Sequence, residues 1–186
     1  MSRNTFKDIL ANVAGKLLGG ETIQQSHMGV YGEWDVAVHR ADGTVERKTL
    51  RNTVTVVGLN RIANRAVQGT GTSPFYVIAV GTATAAPALT DSQSSLGEVI
   101  RKASALTGAS AQSREWIFCV ATFGGAADSV TSLALASAGL SDNPSSLATS
   151  VLGNRVNGLG VTLANSDILS LTVRIRVGSH DVAHTT

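Results

Sequence analysis

The stretch Asn52–Arg101, NTVTVVGLNRIANRAVQGTGTSPFYVIAVGTATAAPALTDSQSSLGEVIR, contains the change of period that decides the fold. Over residues 54–68 apolar side chains recur at helical spacing. Val56, Leu59, Ile62, Ala63, Ala66 and Val67 share one face, with Asn60, Arg61, Asn64, Arg65 and Gln68 opposite. Thr53 or Thr55 is placed to cap this helix, and Gly69 supplies the left-handed residue that ends it. Residues 75–81, FYVIAVG, then read as a short β-run. The loop Gly81–Thr90, GTATAAPALT, follows with no charge and with Pro87 to stiffen it, and Glu98–Ala103 returns as strand. After the helix the pattern is short apolar runs separated by Gly, Pro, Ser and Thr, which predicts a mainly β protein.

The flanks agree. From Glu33, Trp34, Val36 and Val38 alternate with Asp35, Ala37 and His39, and Ala41-Asp-Gly43 turns the chain into a polar strand over residues 44–51. The charges of that second strand suit a sheet edge. Further strands are predicted at residues 114–123, 130–137, 147–152 and 168–178. The last carries Leu169, Leu171, Val173, Ile175 and Val177 on one face and Ser170, Thr172, Arg174 and Arg176 on the other. Gly124-Gly125, residues 141–144 and the glycine-rich run 153–160 read as separators. About eight strands with these turn signals predict a jelly-roll-like β-sandwich. It carries the helix described above and a second, N-terminal amphipathic helix over residues 4–18. There Phe6, Ile9, Leu10, Val13, Leu17 and Leu18 line one face. The expected organisation is an arm and polar linker over residues 1–28, a sandwich over 29–178 and a tail over 179–186.

The succession Asn52-Thr-Val-Thr-Val-Val-Gly-Leu59, Ala79-Val-Gly-Thr-Ala-Thr-Ala-Ala-Pro87 and Leu96-Gly-Glu-Val-Ile-Arg101 resembles a domain found in many structural proteins of tailed bacteriophages. With the flanking strands, the resemblance spans residues 32–177. It implies a virion component that works by protein–protein contact, without substrate or cofactor. It leaves the position in the particle open.

Composition narrows the classes. Charged residues make up 15% of 186 and hydrophobic residues 43%, against a usual charged share of about a quarter. A chain of this size buries about 70% of the surface it exposes unfolded. With so few charges its surface is expected to be rich in Ser, Thr, Gly and Ala and partly covered by other subunits, a homotrimer being the expected assembly. The net charge of +2 comes from interspersed charges, with Arg47, Lys48 and Arg51 as the nearest approach to a cluster and Glu46 beside them. A nucleic-acid groove needs more cations on one face, with aromatics between them. No run reaches the ~18 apolar residues of a membrane span. Asp8 and Lys16 interrupt any signal-like apolar segment. Synthesis in the cytoplasm followed by incorporation into a particle is the expectation.

Catalytic constellations are thin. His180 and His184 have i,i+4 spacing but no third ligand nearby, so a frayed C-terminal end is the simpler reading and no metal is expected. No nucleophile elbow or phosphate-binding loop is present. The carboxylates, Glu33 with Asp35 and Glu98 with Glu115, read as surface charge. Cys119, the single cysteine, lies in an apolar run and reads as a small buried hydrophobe. No enzyme activity and no cofactor are predicted. The contact candidates are Phe6, Ile9, Leu10, Val13 and Leu17 on the arm, and Thr82, Thr84, Pro87 and Leu89 in the neutral loop, where charge is depleted as at the centre of interfaces. The expected role is a capsid decoration or cement protein on the major capsid protein. A tail or head-fibre component, with or without a receptor- or glycan-binding tip, is the alternative. A carbohydrate-binding module is the third reading and would require exposed aromatics.

Overall fold

Among the described residues, ten strands pair into two five-stranded sheets. The structure is a computed structural model that describes residues 28–68, 75–107, 116–146 and 149–179. By its own contacts the chain divides into Gly29–Gly178 and a unit of Met1–Met28 with Ser179–Thr186. The predicted N-terminal helix with Phe6, Ile9, Leu10, Val13 and Leu17, the residues of the tail after Ser179, and Gly69 lie outside the described residues.

Strands β1 (Met28–His39) and β2 (Val45–Arg51) form a hairpin. In its turn Gly43 has φ +87° and Asp42 Oδ1 accepts from the Thr44 amide at 2.8 Å. β2 is the edge of its sheet, where the polar pattern puts it, and all of its residues but Leu50 are exposed. The chain then leaves this sheet. After Asn52, β3 (Thr53–Val54) pairs with β9 (Leu152–Thr162) of the other sheet, and α1 (Val56–Gln68) starts at once. Strand β4 (Val77–Gly81), a 3-10 turn (Gln93–Leu96), β5 (Glu98–Ala103), β6 (Ala105–Thr107), β7 (Trp116–Gly124), β8 (Ala134–Ser141), β9 and β10 (Ile168–Ser179) complete the order. The sheets run β2-β1-β10-β7-β6 and β3-β9-β8-β4-β5.

One core joins the inner faces of both sheets. Trp34, Val36 and Val38 of β1, Cys119, Ala121 and Phe123 of β7, and Leu169, Leu171, Val173 and Ile175 of β10 come from the first. Ile78 and Val80 of β4, Leu135, Ala138 and Leu140 of β8, and Val156, Leu159 and Val161 of β9 come from the second. The predicted alternation of the last strand is correct through Ile175, with Arg174 turned out to Glu33 and Asp35. Cys119 is buried as expected, and burial pushes its thiol pKa up.

Several expectations are corrected. The jelly-roll topology is not established by this order. The pairs β4–β5 and β8–β9 stay as hairpins within one sheet, whereas a double Greek key sends most consecutive strands across the sandwich. The short β3 and β6 raise the count from about eight to ten, because two or three residues leave no readable alternation. β1 begins at Met28, earlier than Glu33, and β4 at Val77, later than Phe75. The strand expected over 130–137 lies at Ala134–Ser141, since Ser129 and Ser132 take left-handed φ of 56° and 61° and break the extended run. The strand expected over 147–152 only starts at Leu152, and the glycine-rich run 153–160, read as a separator, is the middle of β9. Gly158 and Gly160, with φ +87° and +53°, absorb extra residues where β9 advances from Asn157 to Val161 while β8 advances only from Ser137 to Leu135. Lys48 donates to the carbonyls of Gly158 and Leu159 and holds that bulge.

The helix holds the largest surprise. Its cap is Thr55, whose Oγ1 accepts from the Gly58 amide at 3.0 Å and donates to Leu152 O at 2.6 Å. Gly58 faces β9 so closely that a Cβ there would overlap the Gly153 carbonyl oxygen. A helix seated through Gly58 turns the neighbouring sector away from the sheet. Val56 is therefore 45% and Leu59 40% exposed, and Ala63 is exposed as well. Of the face expected to be packed inward, Val56, Leu59 and Ala63 are open and Ile62 is half-buried.

Candidate functional site

The outer face of the β3-β9-β8-β4-β5 sheet is covered by the neutral loop. Residues alternating with the core set, Val77 and Ala79 of β4 with Ser137 and Gly139 of β8, point to this side and are themselves buried or leave room for a neighbour. Leu96, fully buried, packs its side chain over Gly139, and its carbonyl accepts from Ser137 Oγ at 2.9 Å. Gly81 is required because a Cβ there would overlap that same carbonyl oxygen.

The polar fastening comes from β9. Arg155 is 1% exposed. It donates to Asp91 Oδ2 at 2.8 Å and to Ala85 O at 2.9 Å. Asn157 Nδ2 donates to the carbonyls of Thr84 and Ala85. Asp91 also accepts from the Ala88 amide at 2.9 Å, so one carboxylate neutralises a buried guanidinium and closes a turn. Burial raises the Asp91 pKa, but the Ala88 amide and Arg155 outweigh it and hold the carboxyl below its usual range. At the far end Glu98 and Arg101 pair at 2.5 Å, and Arg101 reaches Asn143 O and Ser146 O at 2.6 and 3.0 Å.

The loop thus has an inner side that covers its own sheet and an outer side that remains open. Thr82, Thr84 and Leu89 are exposed, Leu89 by 57%, and Pro87 is half-buried. The Val56 amide donates to Leu89 O at 2.8 Å, which sets Leu89 beside the start of α1. Leu89 and Val56 are thus exposed apolar neighbours, and Leu59 is exposed on the next turn of α1. Sequence reasoning found Leu89 but missed its neighbours on α1 and the anchor Arg155. The only signal for the anchor was that Asp91 stands as the single charge between Thr70 and Gly97. The stretches 52–59, 79–87 and 96–101 are used largely as framework: Thr55 as cap, Gly58 and Gly81 at close backbone approaches, Glu98 and Arg101 as an ion pair.

Other candidates disperse. Glu33 and Asp35 meet Arg174, at 3.2 and 2.9 Å. His39 is half-buried on β1. His180, His184 and Glu115 lie outside the described residues. Among the described residues no three His, Cys, Asp or Glu side chains gather to hold a metal, and no helix is long and apolar enough to cross a membrane.

One carboxylate gives the body a predicted pH dependence. Asp167, buried before β10, accepts from the Ala164 amide at 2.9 Å, from Arg40 Nη1 at 2.8 Å and from the Ala41 amide at 3.1 Å. The Ala164 bond first, then Arg40, hold its pKa below the ordinary value. A depressed folded-state pKa means that the contribution is complete above the unfolded value of about 4 and is lost as pH falls through the folded one. The urea midpoint should drop on acidification below that range, and Asp167→Asn should flatten the drop while lowering the midpoint at neutral pH. A wild-type midpoint constant down to the acid limit would refute this.

No family model, curated protein or solved structure matches the chain.

Proposed function

We propose that the chain is a structural component of a tailed-phage virion, acting through protein–protein contact as a capsid decoration or cement protein. In this reading homotrimers sit on the major capsid protein and tie neighbouring capsomers together. No substrate, cofactor, nucleic acid or membrane is assigned. The observation that carries the reading is the neutral loop, fastened inward by Arg155 and Asn157 while it turns Thr82, Thr84 and Leu89 outward. A surface ordered before binding loses less entropy on association, and an uncharged one leaves no ion to desolvate. A carbohydrate-binding module would need exposed aromatics as a stacking platform; among the described side chains the exposed large apolar residues are Val, Leu and Ile.

The test is the number of copies per purified particle, measured by quantitative mass spectrometry, with the isolated chain weighed by light scattering. Decoration of a symmetric lattice predicts copies on the order of hundreds and a trimer in solution. A dozen copies or fewer would shift the assignment to a tail or head fibre. Absence from particles would end the virion reading.

A further inference from the structure

β9 carries the chain's only Asn-Gly pair, Asn157-Gly158, inside the glycine-rich run 153–160. An asparagine followed by glycine has a reaction of its own. The backbone nitrogen after it attacks the side-chain carbonyl carbon Cγ, and a following residue without Cβ leaves that approach unhindered. In a regular strand the reaction is blocked, because the nitrogen is tied into the ladder and the side chain stands away from it.

Both obstacles are lifted at Gly158. The ladder pairs Asn157 with Ser137 and resumes only with Val161 opposite Leu135, so the Gly158 amide lies in the bulge between them. Its N–H donates to Asn157 Oδ1 at 2.6 Å, which holds the nitrogen beside the carbon bonded to that oxygen. From the other side Asn157 Nδ2 donates to Thr84 O and Ala85 O at 2.5 and 3.1 Å and fixes the rotamer. Gly158 is exposed and Asn157 half-buried, which admits the water that the reaction consumes. Lys48 Nζ, 3.0 Å from Gly158 O, adds a positive charge near the nitrogen that must give up its proton.

We propose that Asn157 is a self-modification site that loosens the neutral loop as the protein ages. Gly158 N bonds to Asn157 Cγ, the Cγ–Nδ2 bond breaks, and the amide nitrogen leaves as ammonia with the proton that Gly158 N gave up. A five-membered imide remains. Water then opens either imide carbonyl, giving aspartate or its β-linked isomer. Both products lose the Nδ2 donor. Aspartate sets a carboxylate against the Thr84 and Ala85 carbonyls, acceptor against acceptor, and the isomer adds a methylene to the β9 backbone. Arg155 is left to hold Ala85 without it. The proposal concerns the fastening of the loop and does not depend on what the loop contacts.

The full chain is kept folded at mildly alkaline pH in heavy-oxygen water, beside a synthetic peptide of residues 154–161, and both are followed by peptide mapping with mass spectrometry. Asn157 should convert with uptake of heavy oxygen at a rate within roughly tenfold of the peptide's. Asn52, Asn60 and Asn165 should stay intact over the same interval. Aged and fresh chains are then compared by limited proteolysis. Conversion should speed cleavage between Thr82 and Ser92 roughly tenfold, as the loss of two hydrogen bonds allows. Asn157→Asp should be cut at the aged rate when fresh; if it fails to fold, the aged wild type decides. Asn157→Gln, whose longer side chain needs a six-membered ring, should neither convert nor change with time. An Asn157 that keeps its amide in the folded chain while the peptide converts overturns the proposal. So does conversion that leaves cleavage of the loop unchanged. Equal conversion at Asn52, Asn60 and Asn165 marks unfolding in place of this geometry and overturns it too.

Discussion

Asp91→Ala should lower the melting temperature by about 10 °C, the effect expected from breaking a buried ion pair in a domain of this size. Arg155 is 1% exposed and carries a full charge, and the Asp91 carboxylate at 2.8 Å is its ionic partner, the Ala85 carbonyl adding only a neutral acceptor. Without the carboxylate the guanidinium must stay buried uncompensated or expel the loop above it. The second course costs less, so the loss should begin as local opening between Thr82 and Ser92. Limited proteolysis should cut there well below the melting temperature. Because the penalty is that of a stranded charge, Asp91→Leu combined with Arg155→Met should recover most of the stability. A single substitution with unchanged melting and no new cleavage would show that the loop is held by something other than this pair.

Val173→Asp should cost several kcal/mol, enough to leave little folded protein at room temperature. Val173 is fully buried, opposite Cys119 in the β10–β7 ladder and within the shared apolar core. Arg174→Asp, one residue on, replaces the partner of Glu33 and Asp35 at a part-exposed site and should cost about 1 kcal/mol. The pair can be compared by urea denaturation, and equal losses would contradict the register of β10.

Much of the body was legible in the amino-acid order. β10 was readable because strict alternation over a long strand has one solution: Leu169, Leu171, Val173 and Ile175 must share a face, and the core takes them. β2 announced itself as an edge by its exposed charges, and Cys119 as core by its apolar run. Glycine was the weak sign. In residues 153–160 it marked close backbone approach and a bulge inside β9, where the same composition also describes a turn. The contact surface was half legible. Lack of charge pointed to the neutral loop, and Leu89 is exposed there. The contribution of α1 was hidden, because an apolar stripe at helical spacing looks the same whether it is covered or bare.

The sequence alone therefore determined the strongest periodicities: the helix near residues 54–68, which side of β10 is apolar, and which segment lacks charge. These follow from local backbone geometry and side-chain chemistry. The tertiary structure decided what each face meets. Only the packing of Gly58 against the Gly153 carbonyl leaves Val56 and Leu59 open, and only the register of β9 brings Arg155 and Asn157 under the neutral loop. Those contacts join residues some 60 to 100 positions apart, as the 64 positions between Asp91 and Arg155 illustrate. Their formation depends on a few Å of backbone approach between elements, a distance that periodicity along the chain does not encode.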